Sequence, residues 1–336
     1  MNLAGFHYEL PEELIAQEPA AERDGARMLV LDRRAGRWED RWFRDLPGYL
    51  GPGDCLVLND SRVLPSRLFG HKADREARLQ VFLIKQLSAD AREWTALVRP
   101  GRKVRTGDVI YFDGGLQVQV TAWGERGERT VRFADAENLF ERLEQVGHVP
   151  LPPYIHRPET REDRERYQTV YARERGSVAA PTAGLHFTEA VLERVRAAGA
   201  EVARTTLHVG LGTFRPIEVE QIEEHAMHSE RYRMEQAEWA KVERAGRTLA
   251  VGTTSVRTVE TIARTGELAG ETDIYIYPGF EFRRVGAMLT NFHLPRTSLL
   301  LLVCAFAGTE LMLSAYRHAV EEKYRFFSYG DCMLIL

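Results

Sequence analysis

The segment from Ser66 to Phe133 constrains this chain most. Six short runs follow one another there: Ser66–His71, Arg78–Leu87, Trp94–Val98, Val109–Phe112, Leu116–Ala122 and Thr130–Phe133. Turn residues separate them and no helical period intervenes. Leu116-Gln117-Val118-Gln119-Val120-Thr121 alternates apolar and polar residues, the period of a half-buried strand. Six such strands joined by tight turns predict a small antiparallel β-barrel. Residues 62–105 carry eleven Lys or Arg against four Asp or Glu, so the barrel is locally basic in a chain of net charge −4. A surface of that kind either meets phosphate backbone or is simply solvated.

The texture differs on both sides of this segment. Upstream, Pro11–Gln17 reads as a short helix and Met28–Asp32 and Cys55–Leu58 as strands. The second strand runs into Asn59-Asp60-Ser61-Arg62, a polar cluster at a strand end, where sites are often built. Downstream, residues 134–147 read as helical and His148–Ile155 as a proline-rich, extended return. Residues 160–173 are strongly charged, with Tyr167, Val170 and Tyr171 on one helical stripe. Helices then alternate with strands. Helices are expected over Ala190–Ala198, Gln236–Ala245, Val256–Arg264, Ser298–Ala307 and Leu311–Lys323. Strands are expected over Val202–Val209, Leu249–Val251, Ile274–Tyr277 and Ala287–Thr290. This alternation predicts a layered α/β domain, residues 1–62 plus 150–336, with the six-stranded antiparallel β-barrel, residues 63–149, inserted into it. The aromatic C-terminus, Tyr324–Leu336, reads as a last strand with Tyr329 and Asp331 on one side of it.

Composition removes several function classes. A pI of about 6.2 excludes a globally basic nucleic-acid binder. Cys55, Cys304 and Cys332 are far apart and form no CxxC, which argues against a disulfide framework or a thiolate zinc site and for a reducing compartment. Residues 1–9 show no signal-peptide pattern. The longest apolar run, Leu299–Ala307, has nine residues, whereas a membrane span needs about 20.

The candidate chemistry lies in four polar clusters. Gly176–Thr188 is a nearly uncharged loop of small residues containing His186, and Thr188 has the character of a helix N-cap. His208-Val209-Gly210-Leu211-Gly212-Thr213-Phe214 takes a strand end into a glycine loop. Val251-Gly252-Thr253-Thr254-Ser255-Val256-Arg257 links a strand to a helix without the lysine of a P-loop. Thr290-Asn291-Phe292-His293-Leu294-Pro295 follows another apolar run. In α/β domains ligands sit beyond the carboxyl ends of strands, and all four clusters could converge there. Each taken singly is equally well a packed connection. Glu224-His225-Ala226-Met227-His228-Ser229-Glu230 offers a competing metal-dependent hydrolase, with two histidines at i and i+3. The HExxH spacing is missing from it.

Several motifs, in order along nearly the whole chain, resemble the S-adenosylmethionine:tRNA ribosyltransferase-isomerases of queuosine biosynthesis. They are Leu58–Pro65, Leu97–Lys103, Gly147–Ile155, Tyr167–Tyr171, the Gly176–Thr188 loop, Leu207–Phe214, Met227–Glu230, Val251–Arg257, Leu289–Pro295 and Tyr324–Ile335. Two departures stand out. Gly286 occupies a position where the family pattern has an acidic residue, and Arg296-Thr297-Ser298 varies a Lys-Ser-Thr turn.

The resemblance implies an α/β domain with an inserted barrel, and a cytoplasmic, metal-independent enzyme, expected to be monomeric. It implies transfer of the ribosyl group of S-adenosylmethionine to 7-aminomethyl-7-deazaguanine at the wobble position of tRNA. Epoxyqueuosine forms, and adenine and methionine leave. The sulfonium acidifies the neighbouring C5′ protons, so the reaction calls for at least one base and one acid. His186, His208, His228 and His293 form the candidate acid/base pool, with Tyr329 and Asp331 as further catalytic candidates. Thr182, Gly252, Thr253, Thr254 and Asn291 would bind the purine and ribose of the cofactor, and Arg257 its methionine carboxylate. Arg62, Arg67, Arg99, Arg102 and Lys103 would contact tRNA phosphates. A noncatalytic RNA-binding module with purely structural glycine loops is the second alternative.

Overall fold

The structure, a computed structural model, describes residues 1–73, 75–135, 137–210 and 217–336. The first strands are β1 (Arg27–Asp32), β2 (Arg37–Trp42), β3 (Asp54–Asn59) and the short β4 (Ser61–Val63). The barrel follows: β5 (Arg67–Lys72), β6 (Arg75–Gln86), β7 (Glu93–Arg99), β8 (Val109–Phe112), β9 (Gln117–Trp123) and β10 (Glu128–Phe133). It closes in the order β10-β7-β6-β5-β8-β9, every neighbouring pair antiparallel. All six expected strands are present. Their inward residues, among them Leu68, Val81, Trp94, Val118 and Val131, form one buried core. Helix α1 (Leu139–Val146) packs Leu139 and Leu143 onto that core. The chain enters and leaves the barrel at adjacent points, where Arg67 and His148 exchange backbone hydrogen bonds.

The rest of the chain builds a second sheet. Its later elements are α2 (Asp163–Arg166), β11 (Glu174–Ser177), α3 (Glu189–Ala197), β12 (Glu201–Leu207), β13 (Glu230–Arg233), α4 (Gln236–Arg244), β14 (Arg247–Val251), α5 (Gly252–Thr265), β15 (Ala269–Thr272), β16 (Val285–Asn291), α6 (Ser298–Ala307), α7 (Thr309–Glu321) and β17 (Cys332–Ile335). Nine strands run in the order β15-β13-β12-β3-β14-β16-β17-β1-β2. β12, β3, β14 and β16 are mutually parallel. One core, under α4 to α7, covers one face, and a smaller core under α3 covers the other. Alternation decides the sides: Cys55 and Val57 of β3 enter the first core, Leu56 and Leu58 the second. The C-terminal strand β17 lies inside the sheet, parallel to β1 and antiparallel to β16. No single helix among the described residues is long and apolar enough to cross a membrane.

Four local expectations fail. Pro11–Gln17 contains only a single 3₁₀ turn, Glu12–Leu14, because Leu14 O accepts from Phe326 N and Ala16 N donates to Phe326 O, a bridge in place of further helix. The Tyr167–Tyr171 stripe is not helical. α2 stops at Arg166, and Tyr167 and Tyr171 are buried while Val170 stays exposed. Ile274–Tyr277 forms no strand, and its Ile274 carbonyl accepts from the buried Arg257 guanidinium. Tyr329 and Asp331 do not share the face of a strand: Tyr329 lies in the turn that precedes β17, and Asp331 follows it.

Candidate functional site

The parallel strands bring their carboxyl ends to one edge. Asn59 closes β3, Leu207 closes β12, Val251 closes β14 and Asn291 closes β16. Asn59 ties two of these ends together. Its amide donates to Leu207 O (3.0 Å) and Thr254 Oγ1 (3.2 Å), and its Oδ1 accepts from Leu207 N (3.1 Å). Gly252 opens α5 at φ +81°, a left-handed conformation that favours glycine. The helix starts without a side-chain cap, so its first N–H groups face the strand ends unsatisfied by any side chain.

Two cavities adjoin there. The first, about 80 Å³, is lined by Thr182, Gly252, Thr253, Thr254, Thr290, Asn291, His293 and Ser328, among others. All of these but Thr290 and Ser328 are expected site residues. Asn291 is 3% exposed. Its amide nitrogen donates to Phe327 O (3.2 Å) and Asp331 O (3.3 Å) and faces His186 Nε2 at 3.3 Å. Its Oδ1 is buried and has no partner. An orphaned buried acceptor on a cavity wall is a demand for a ligand donor. His186 stands behind Asn291, with its ring 5.3 Å from that of Phe43, and so positions the amide from outside the cavity. His293 is on the wall itself. Its Nε2 is 2.9 Å from Thr290 Oγ1, and its backbone N–H donates to Tyr316 Oη at 3.0 Å. Tyr8 Oη donates to its carbonyl. Burial lowers His186 to about 4 and His293 to about 3, so both are neutral near neutral pH.

The second cavity, about 250 Å³, lies in the seam between the barrel and the main sheet. Ile84, Gln86 and Thr95 come from the barrel, and Gly176, His208, His228 and Glu230 from the other side. Gly176 has φ +141°, and a Cβ there would meet the His208 ring at 2.9 Å. His208 Nδ1 is buried without a partner, and burial and the Arg231 charge lower its pKa. Val209 lines both cavities. The four histidines therefore fall into two groups: His293 on the wall of the first cavity with His186 behind Asn291, and His208 and His228 on the wall of the second. Leu211, Gly212, Thr213 and Phe214 lie outside the described residues.

Several expected site residues are engaged elsewhere. Arg257 points away from the first cavity and is paired with Glu230, with Thr272 O and Ile274 O as further acceptors. It is therefore not available for a ligand carboxylate. Asp331 accepts backbone N–H groups on both oxygens, from Arg27 (2.8 Å) and Arg325 (2.7 Å). Tyr329 donates to Asp163 Oδ1 (2.8 Å), a carboxylate that Arg157 grips bidentately at 2.7 and 2.8 Å. Neither side chain lines the first cavity, although Ser328, next to Tyr329, does. Arg62 is 3.6 Å from Glu144, and Arg67 donates to Leu151 O (3.0 Å) in the barrel hinge. Arg99, Arg102 and Lys103 are exposed at one end of the barrel. Gly286 lies at the far end of β16 from Asn291, beside Arg247. The missing acid therefore takes nothing from the site. Among the described residues, no three His, Cys, Asp or Glu side chains gather as a metal site, and the His225 ring packs against Tyr275 instead.

Sequence reasoning missed Asn59 and Thr290 as individual contributors. Both belonged to clusters already singled out, but nothing local shows that Asn59 reaches across to β12 and α5.

The strand-end cavity, the uncapped helix and the two histidine groups describe an α/β enzyme with a ligand site at its parallel strand ends and a barrel against it. Comparison with known proteins is more specific. Residues 3–335 match the family model of the queuosine biosynthesis proteins. S-adenosylmethionine:tRNA ribosyltransferase-isomerases of Solibacter usitatus and Symbiobacterium thermophilum are 61% and 53% identical to this chain, each over 100% of both chains. A crystal structure of the S-adenosylmethionine tRNA ribosyltransferase of Thermotoga maritima covers 99% of this chain and 100% of its own, at 40% identity and a TM-score of 0.57. The chain belongs to this family of transferase-isomerase enzymes.

Proposed function

We propose that the protein transfers the ribosyl group of S-adenosylmethionine, with isomerisation, to 7-aminomethyl-7-deazaguanine at the wobble position of a tRNA. Epoxyqueuosine-tRNA forms, and adenine and methionine leave. The observation that carries this reading is the first cavity, where the orphaned Asn291 Oδ1 and the uncapped start of α5 meet at the parallel strand ends.

The residues present fit the donor. Asn291 Oδ1 accepts from the adenine amino group. The first N–H groups of α5 take the methionine carboxylate, the role expected of Arg257, because a helix N-terminus favours negative charge. Thr182, Thr253 and Thr254 offer hydroxyls to the ribose. The cavity is smaller than the usual ~300 Å³ lower bound for ligand pockets, so the donor extends past Val209 toward the seam. Neutral His186 and His293 raise no like-charge repulsion with a sulfonium. His293 is the donor-side proton carrier in this reading, and His208, beside the seam cavity, takes the proton of the incoming amine. Arg99, Arg102 and Lys103 remain available for phosphates at the barrel end.

The test is to incubate the protein with S-adenosylmethionine and an anticodon stem-loop carrying the aminomethyl-deazaguanine. Adenine release matched by a nucleoside that has gained a cyclopentane epoxide unit supports the reading. A nucleoside heavier by one methyl group overturns it, as does release of no adenine by folded protein.

A further inference from the structure

Beyond the seam cavity the main sheet is uncovered on the α3 side, and a groove of about 920 Å³ runs over β12 and β13. Strand alternation turns Arg204, Thr206 and His208 to that face, while Ala203 and Leu207 enter the core. Arg231 of β13 is next to His208, whose backbone N–H donates to Arg231 O (3.0 Å). Arg196, at the end of α3, forms the far wall.

The acids in this groove are already committed. Glu201 pairs with Arg244, Glu235 with Arg233, Glu238 with Lys241 and Glu271 with Lys85. Glu174 is 3.7 Å from Arg173, and Asp60 accepts the Thr206 hydroxyl at 2.6 Å. Arg196, Arg204 and Arg231 have no carboxylate within ion-pair distance among the described residues. The groove is thus mixed in charge, with Asp60 acting on Arg204 and Glu271 opposite Arg231 across the strands, yet it presents three guanidinium groups without a direct ion pair on one concave surface. His208 and Arg231 also line the seam cavity, so groove and cavity adjoin at these two residues.

We propose that this groove takes the phosphate backbone of the substrate RNA flanking the acceptor base, and that the base itself lodges in the seam cavity. This rests on the proposed tRNA activity. Guanidinium groups bind phosphate oxygens bidentately, and a base reaches the seam only if the backbone beside it is held. The barrel then gains a defined role, because Gln86 and Thr95 close the base cavity from the side opposite His208.

The experiment uses the full chain and an anticodon stem-loop RNA, with binding measured over a salt series. R204E and R231E are compared with wild type singly and together, alongside the milder R204Q/R231Q. Each lost phosphate contact should reduce the slope of log affinity against log salt by about one. The double variants should bind at least tenfold more weakly, with KM for the RNA raised. R204K/R231K should keep most of the salt slope, which a merely structural role would not predict. Unchanged affinity and slope in both double variants, with wild type binding normally, overturns this inference and leaves the function reading intact. Failure of wild type to bind the RNA with any salt dependence overturns both.

Discussion

The first cavity and the groove are built on opposite plans. Around Asn291 the wall is buried, its amide nitrogen is held by three partners, and its acceptor Oδ1 is left over. Along β12 and β13 the cations face an open groove, and three of them lack a direct ion pair among the described residues. An enclosed, low-dielectric wall acts on the reacting atoms, where misplacement is costly. An open row of arginines acts on long-range capture and is weakened by salt. Substitutions on the cavity wall should therefore lower kcat, and substitutions in the groove should raise KM.

His293→Ala gives the largest effect expected. If His293 carries a proton in the reaction, kcat for adenine release falls by roughly 10²- to 10⁴-fold, while RNA affinity and its salt slope stay at wild-type values. A loss of RNA binding in this variant would erase the distinction between the two regions.

Arg157→Ala comes next and tests the support of the cavity wall rather than the wall itself. Asp163 is 1% exposed, and burial would raise its pKa. The Arg157 hydrogen bonds, aided by Thr160 N–H and the Tyr329 hydroxyl, overcome that and hold it at about 2. Removing the cation strands a buried carboxylate, which costs on the order of 3 kcal/mol of stability. Denaturant titration at neutral pH reads this, and R157K should recover part of it. A variant as stable as wild type would show that Tyr329 and Thr160 satisfy the carboxylate unaided.

The buried histidines also leave a mark on acid stability. Their folded pKa values, about 4 for His186 and about 3 for His293, lie below the unfolded value near 6.5. Below pH 6.5 the unfolded chain binds protons that the folded chain does not, so stability falls as pH drops through that window and is fully present above it. Asp60 and Asp331, raised by burial, work in the opposite direction above their unfolded pKa. The informative quantity is thus a difference. H186N should flatten the stability profile between pH 6.5 and about 4 relative to wild type, and R204Q, in the open groove, should not. Parallel profiles would mean that His186 is charged in the folded state.

Legibility in the sequence divides along a similar line. The barrel strands were readable because one face of each is buried, which imprints a period of two on segments such as Gln117–Val120. The edge strand β2 was not, since five of its six residues, Arg37 and Glu39 to Trp42, are exposed and carry no such imprint. At the site, the motif clusters led to Thr182, Gly252, Thr253, Thr254, Asn291 and His293, which line one cavity. Arg257 misled because its neighbours in sequence line the cavity, while its own position in α5 turns it toward Glu230. The groove arginines come from α3, β12 and β13. Only the alternation Arg204, Thr206, His208 hints at a shared polar face, and the sheet order that sets Arg231 beside it is a long-range fact.

The smallest effect tests whether α3 serves only as scaffold. Thr188 caps that helix, its hydroxyl accepting from Val191 N at 3.2 Å. The same helix buries Val191, Leu192 and Val195 in the second core and carries Arg196 to the groove. Just upstream, the 3₁₀ turn Thr182–His186 delivers a cavity wall on one side and the ring behind Asn291 on the other. Thr188→Ala removes one hydrogen bond to the helix start and should cost about 1 kcal/mol. In a chain this long that lowers the melting temperature by about 2 °C. Thr188→Ser should restore it, and kcat should not change in either variant. A drop in kcat that Thr188→Ser rescues would mean that the cap holds the His186 turn in register with Asn291. The reacting end of the site would then depend on the same helix that frames the groove.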